Sequence, residues 1–412
     1  MMKNLTKEKI ILKAINIWNK NNFQNISLSP VAKALKISKP ALYKHFHNKE
    51  ELITEIYRYF ESEYVKFWCI FFEKQKGFSG NILRLLIRYT AVFFLEKSEF
   101  LMFRKYMFVN KRQVNDLCKT YVENVLTKDA LNEIYNKFND INCPIEGIDY
   151  FFTYLFTIVE VWMLLQNDMV KNSEVEIEKY PKETLLDMCT DQVYEIIECG
   201  FFKNTAGKKI DFSSLEEEIK NRKITDDLSG ETILSAIADI IIEEGYWNIS
   251  VNKIAAKMQI TKSLLYNYFK DKKTMISDLL FKRLNAFKKC FQEDTFQRTN
   301  EFEVWYLLIY FFYYTFSSNV RHTMIMNWIA TMNYSKVIIN GKMVDILKNI
   351  YRIKIPKTKK LFCGTFYFPI ITMQILIVRY VFFTLMKGIN SDSGEIRVFY
   401  KLSVYGIKKE EL

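Results

Sequence analysis

The sequence predicts an all-α fold assembled from two tandem units of one kind, and three observations predict it. Glycine and proline are scarce, 12 and 6 in 412 residues, which suits helices and disfavours turn-rich β architectures. One pattern of caps and apolar positions occurs twice, 223 residues apart. Each copy is followed by a long aromatic-rich stretch with helical rather than alternating spacing.

The first copy runs from Ser27 to Phe46. Ser27 stands where a helix N-cap belongs, ahead of Val31, Ala32 and Leu35 on one helical face. Ala32 is small and lets a second helix approach. Lys36 and Ile37 form the tight turn, with Ile37 directed back into the core. Ser38 caps the next helix, and Pro40 falls in its first turn, where a missing N–H costs nothing. Leu42, Tyr43 and Phe46 give that helix its inner and flanking faces. Lys39, Pro40, Ala41, Lys44 and His45 remain outward. Asn48 or His47 caps a further helix through Glu51, Leu52, Ile56 and Tyr59.

The second copy runs from Ser250 to Phe269 and repeats each element with other residues. Ser250 and Thr261 are the caps. Ile254, Ala255, Met258 and Ile260 form the inner face, and Leu265, Tyr266 and Phe269 anchor the second helix. Lys262, Ser263, Leu264, Asn267 and Tyr268 are left outward, and Asp271 is placed to cap the next helix. Upstream, Ile11-Leu12-Lys-Ala14-Ile15 aligns with Ile233-Leu234-Ser-Ala236-Ile237 one residue out of step. The slip is absorbed before Phe23 and Tyr246.

These residues resemble the N-terminal domain of the TetR/AcrR family of transcriptional regulators. The resemblance rests on Asn22-Phe23, Ser27, Val31-Ala32, Ile37-Ser38-Lys39, Leu42-Tyr43, Phe46, Lys49 and Leu52. In the second copy it rests on Gly245-Tyr246, Ser250, Ile254-Ala255, Ile260-Thr261-Lys262, Leu265-Tyr266, Phe269, Lys272 and Met275. Asn22 replaces the family's turn glycine, a mild departure because Asn tolerates the left-handed conformation. The resemblance implies a helix-turn-helix head followed by a helical domain that binds a small ligand and forms the dimer contact. It also implies a regulator, most often a repressor released by its ligand. With two units on one chain, that dimer is expected inside the molecule, as an intramolecular pseudo-dimer, with further oligomerisation left open.

Charge falls where DNA is expected. The chain carries a formal +12, and residues 1–50 hold ten Lys against Glu8 and Glu50. Residues 250–273 hold six Lys against Asp271. Such excess suits an anionic partner, here a double-stranded DNA operator. The expected DNA-binding residues are Ser27, Ser38, Lys39, Pro40, Ala41, Tyr43, Lys44, His45 and Lys49 in the first head. In the second they are Ser250, Thr261, Lys262, Ser263, Leu264, Tyr266, Asn267, Tyr268 and Lys272. Lys can donate to guanine and Asn can pair with adenine, whereas Tyr43, Tyr266, Lys49 and Lys272 suit phosphates. Tyr43 and Tyr266 suit packing equally well. A second reading keeps the fold and gives up the DNA: an interaction or scaffold protein in which one or both heads have lapsed. The acidic helix with Asp239, Glu243 and Glu244 makes the second head the candidate for that.

Other classes find little support. There is no P-loop, no GxSxG and no HExxH, so the chain is not expected to be an enzyme, and no cofactor is expected. Seven Cys without CxxC spacing read as reduced thiols of a cytoplasmic protein, and with three His no metal site is expected. The polar N-terminus is read as leading straight into a helix, without a signal peptide. The apolar run Leu361 to Met386 contains Gly364, Pro369 and the central Arg379, so it reads as a buried helix and no membrane partner is expected.

The expected order is a first head at 1–50, a helical effector and dimerisation domain at 51–202, and a polar linker at 203–228. A second head at 229–273 and a second helical domain at 274–412 complete the chain. Both halves finish with a long apolar helix and a shorter amphipathic one, the first of these pairs ending near Gly200. Phe93, Phe94, Phe103, Tyr106, Phe152 and Trp162 are candidates to line a pocket in the first half. Tyr310, Tyr314, Trp328 and Tyr367 are their counterparts in the second. Aromatic residues at helical spacing are more often plain core than pocket lining. An effector of such a pocket would be an apolar or aromatic small molecule.

Overall fold

In a computed structural model, the chain is described over residues 6–20, 26–74, 81–97, 99–100, 103, 153–163, 181–203, 205, 210–221, 232–244, 249–270, 274–275, 298, 300–321, 323–325, 356–357, 367–387 and 393–407. Among these residues the regular structure is helical, with no strand beyond the single bridging residue Phe202. The helices are α1 (Lys7–Asn19), α2 (Leu28–Leu35), α3 (Lys39–Tyr43), α4 (Lys49–Lys74), α5 (Ile82–Glu96), α6 (Lys182–Cys199), α7 (Phe212–Asn221), α8 (Thr232–Glu244), α9 (Val251–Lys257), α10 (Lys262–Tyr268), α11 (Glu301–Ser318), α12 (Tyr367–Lys387) and α13 (Ser393–Tyr405). Residues 153–163 are also helical. No described helix is long and apolar enough to cross a membrane.

The chain divides into two compact units, Met1–Ile82 with Val92–Leu131 and Leu83–Ala91 with Asn132–Leu412. The first unit contains the first head and α4. Phe60, Tyr64, Phe93, Phe100 and Phe103 are buried together there. Their rings meet edge-on or stacked, as in the Tyr64–Phe100 stack with centroids 5.3 Å apart, a geometry that aromatic quadrupoles favour.

The second unit takes in the last helix of the first half together with the whole second half. Its core is α11, buried on nearly every side and packed by α7, α12 and α13. α7 lies inside the stretch expected as a linker. It turns Leu215, Glu216 and Ile219 inward, the i, i+1, i+4 spacing of one helical face. The Glu216 carboxylate is seated by the Tyr306 hydroxyl at 2.6 Å and the Arg397 Nε at 2.7 Å. Burial pushes this carboxyl up, but the Arg397 guanidinium and Tyr306 hydroxyl outweigh it and hold it below the ordinary carboxylate range.

α6 and α13, the last helices of the two halves, pack on one another. α6 ends at Gly200 and α13 at Gly406, both at φ +69°. The Phe201 N–H donates to the Ser403 carbonyl, and the Ile407 N–H donates to the Ile197 carbonyl, each at 2.8 Å. Phe201 and Ile407 each follow their glycine, and Ile197 and Ser403 each precede theirs by three residues. The two bonds therefore exchange places under a two-fold operation, as in an isologous contact. Each glycine also lies against the opposite backbone. A Cβ on Gly200 would stand 2.8 Å from the Ser403 carbonyl oxygen and closer still to that of Val404. One on Gly406 would overlap the backbone of Glu198 and Cys199.

Candidate nucleic-acid interface

Each head is three short helices on a small apolar core. In the first, α1 turns Ile10, Ile11, Ala14, Ile15 and Trp18 inward. The Trp18 Nε1 donates to the Ser27 carbonyl at 3.1 Å, tying α1 to the start of α2. Val31 and Ala32 of α2 and Leu42 of α3 close the core. In the second head α8 buries Leu234, Ile237, Ala238, Ile240 and Ile241, and Ile254, Ala255 and Leu265 take the other places. The paired alanines, Ala32 and Ala255, are both buried at the crossing of two helices.

The turns match as well. Lys36 at φ +56° and Gln259 at φ +57° hold the same left-handed position. Beyond it the Ile37 N–H reaches back to the Ala32 carbonyl at 3.0 Å, and the Ile260 N–H to that of Ala255 at 2.9 Å. This 6→1 bond is a Schellman closure, which satisfies a carbonyl at the end of the first helix and fixes the exit angle to the second. Neither residue is Gly or Asn, so the turn is imposed by the packing around it.

Caps start the second helix of each turn, α3 and α10. The Ser38 hydroxyl accepts the Ala41 N–H at 3.3 Å, and the Thr261 hydroxyl accepts that of Leu264 at 3.2 Å. Ser250 caps α9 through the Lys253 N–H at 3.2 Å. Ser27 has the extended backbone of an N-cap, but its side chain makes no capping bond. α4 is opened by Asn48, which accepts the Glu51 N–H at 2.8 Å, while the Glu51 carboxylate takes the His47 N–H at 2.6 Å. That backbone bond leads the causes holding the Glu51 carboxyl below its ordinary value. The start of α4 thus already carries a negative charge of its own beside Lys49.

The outward residues are where the pattern places them. Ser27, Ser38, Lys39, Pro40, Tyr43 and Lys44 are exposed, and Ala41, His45 and Lys49 are half-exposed. In the second head Thr261, Lys262, Ser263, Leu264, Tyr266 and Asn267 are exposed and Ser250 is half-exposed. Tyr268 ends α10, and its side chain and all of Lys272 lie outside the described residues. Tyr43 and Tyr266 keep 48% and 43% of their surface exposed, so neither is taken up by packing. The Lys262 Nζ sits over the Tyr266 ring, 5.7 Å from its centroid.

The heads differ in the neighbours of their basic groups. In the second, Lys253 pairs with Glu244, and Lys257 with Glu243 at 2.6 Å. The bond from Glu243 raises the Lys257 ammonium above its ordinary range. At the aligned positions of the first head stand Pro30 and Ala34, and Lys20 and Asn21. Sequence reasoning marked the acidic helix but not which lysines it holds.

Of the aromatic residues expected around an effector, Phe93, Phe94 and Phe103 are buried against other rings in the first unit. Trp162 is buried and donates to Gln192 at 2.8 Å. Tyr310 is stacked between Tyr306 and Tyr314. Tyr106, Phe152 and Trp328 lie outside the described residues, as does the side chain of Tyr367.

The model of the bacterial regulatory proteins, tetR family, matches residues 10–56 and again 233–279. No curated protein matches the chain. The two matched stretches are offset by 223 residues and begin in α1 and α8, the same helix of each head. The chain thus carries two helix-turn-helix domains that match the tetR family, one in each half, and these domains point to a DNA-binding transcription regulator.

Proposed function

We propose that the chain is a ligand-responsive repressor that reads two unlike half-sites of one operator, one with each head. The observation that carries this is the contrast between the faces of the heads. Their inner faces agree residue by residue, whereas Lys39, Pro40, Ala41, Lys44 and His45 of one stand against Lys262, Ser263, Leu264, Asn267 and Tyr268 of the other. Lys39 and Lys44 suit guanine O6 and N7. Asn267 suits adenine, and the exposed Leu264 suits a thymine methyl group. Tyr43, Tyr266, Lys49 and Lys272 are assigned to phosphates, as are the hydroxyls of Ser27, Ser38, Ser250 and Thr261. The two halves close on one another as an intramolecular pseudo-dimer, a reading supported by the reciprocal bonds between α6 and α13. The effector is assigned to apolar or aromatic chemistry because the helical domains are rich in buried rings.

Binding-site selection from random DNA tests this, with the mass of the selected complex measured. An operator of two different halves bound by one chain is expected; a strict palindrome bound by one chain would sink the reading. Lys44→Ala and Asn267→Ala should each relax selection in one half-site only, by about 1–3 kcal/mol per lost bidentate contact. Loss spread over both halves would count against it.

The second reading, a lapsed second head in an interaction protein, is favoured by one observation: Lys253 and Lys257 already hold carboxylates. The double variant Glu243→Gln/Glu244→Gln separates the readings. If the second head works, freeing two lysines should tighten DNA binding several-fold. It should also steepen the dependence of log affinity on log salt by up to about 2, near 0.9 per phosphate contact. Anisotropy titrations across a salt series read both, and a lapsed head would leave them at wild-type values.

A further inference from the structure

The bonds that join α6 to α13 do not say which helices should meet. The Phe201 and Ile407 N–H groups donate to carbonyls, and so does the Tyr154 hydroxyl, to that of Leu402 at 3.3 Å. Any chain offers carbonyls. Two first halves, or two second halves, could close through the same reciprocal pattern, since an isologous contact is self-complementary by construction.

The Arg379 contacts are of another kind. Arg379 lies at the middle of α12, and its side chain is only 15% exposed. Its Nη2 donates to both carboxylate oxygens of Glu160 at 2.8 Å, and its Nη1 to the Thr157 hydroxyl at 3.0 Å. The Glu160 side chain is 2% exposed. This is a charged pair taken out of water, made between helices 219 residues apart in the chain. Segment 153–163 has Glu160 as its single charged residue, and α12 has Arg379 and Lys387 and no acid. Pairing like with like would bury Glu160 without Arg379, or Arg379 without Glu160. A buried charge without its counterpart is strongly destabilising.

We propose that Glu160 and Arg379 are a pairing key: they make the closing helices of the first half accept those of the second and reject a second copy of themselves. The partner of each half is its own chain's other half. This rests on the pseudo-dimer reading and adds what selects its partners. The symmetric backbone supplies the fit, and one asymmetric ion pair supplies the choice.

The test uses the full chain in four forms: wild type, Glu160→Arg, Arg379→Glu and the double exchange. Thermal midpoint and mass by native mass spectrometry are read for each, and the two single variants are also co-expressed with different tags. Each single variant should melt about 5–10 °C below wild type. The double exchange should recover most of that loss and the single-chain mass. Co-expressed singles should form a 1:1 complex that neither forms alone, because each chain then supplies the opposite charge that the other lacks. Singles that melt like wild type, or a double exchange as low as the singles, would overturn the key. If the singles do not fold alone, co-expression decides: a soluble 1:1 complex supports the key and continued insolubility overturns it. A doubled wild-type mass would instead overturn intramolecular closure, leaving the key to be judged by the double exchange.

Discussion

Alanine at Gly200 or Gly406 is expected to cost about 3–5 kcal/mol of stability, among the largest effects open to a single methyl group. Two costs add. At φ +69° an L-residue is disfavoured by roughly 1–2 kcal/mol. The new carbon would also overlap backbone atoms of the opposite helix, at Ser403 and Val404 from Gly200 and at Glu198 and Cys199 from Gly406. A flexible side chain could swing aside; a helix backbone cannot. To admit the methyl group, α6 and α13 must part, which strains both reciprocal 2.8 Å bonds. Urea unfolding of the full chain should show the midpoint falling by similar amounts for the two variants, because their surroundings correspond. A wild-type midpoint for either would refute the close approach.

Arg397→Met is expected to cost about 2–3 kcal/mol and to change how stability depends on pH. Buried ion pairs lose about 3–5 kcal/mol when one partner is removed, and the cost is lower here because Arg397 is about a third exposed. In the wild type the Glu216 carboxyl is held below its ordinary value of 4.5. Its contribution is therefore complete above that value and lost as pH falls through the lower folded value. Without the guanidinium, burial is opposed only by the Tyr306 hydroxyl and the Lys220 charge, so the carboxyl rises from its wild-type value toward or past the ordinary one. Less stability then depends on its ionisation, and the loss on acidification shrinks. Thermal midpoints between about pH 3 and 8 should fall more steeply at the acid end for wild type than for Arg397→Met. Glu216→Gln, with nothing to titrate, should show neither slope from this site. Parallel curves for all three would rule the assignment out.

The heads were legible because their signals are local. Caps, small residues at crossings and outward side chains follow from spacing within a single turn or two, and Ser38, Ala32, Thr261 and Ala255 stand where the pattern puts them. Ser27 shows the limit: residue type marks the cap position but not whether the hydroxyl engages. Lys36 and Gln259 show another, since their left-handed backbone leaves no mark in composition. Glu216 could have been found, because Leu215 and Ile219 flank it with helical spacing inside a polar stretch. Gly200 was readable as the end of a helix, and its partner was not. Gly406, 206 residues on, carries the matching signal: a glycine followed by an apolar residue after the last amphipathic helix. Arg379 argued against a membrane span on sequence grounds, yet Glu160 could not be named, because no local rule joins residues 219 apart.

The reciprocal closure also bears on how such a protein can change. In an assembly of identical subunits every substitution is made twice, and a residue must suit both ends of the symmetry axis at once. Here each position stands alone. Ile197 and Ser403 give the same carbonyl to corresponding bonds, yet the Ile197 side chain is buried apolar surface, while the Ser403 hydroxyl accepts the Trp305 Nε1 at 2.8 Å. One side has a polar neighbour where the other has hydrocarbon. A single gene thus lets the two sides of one joint drift apart a residue at a time, which separate copies of one subunit cannot do.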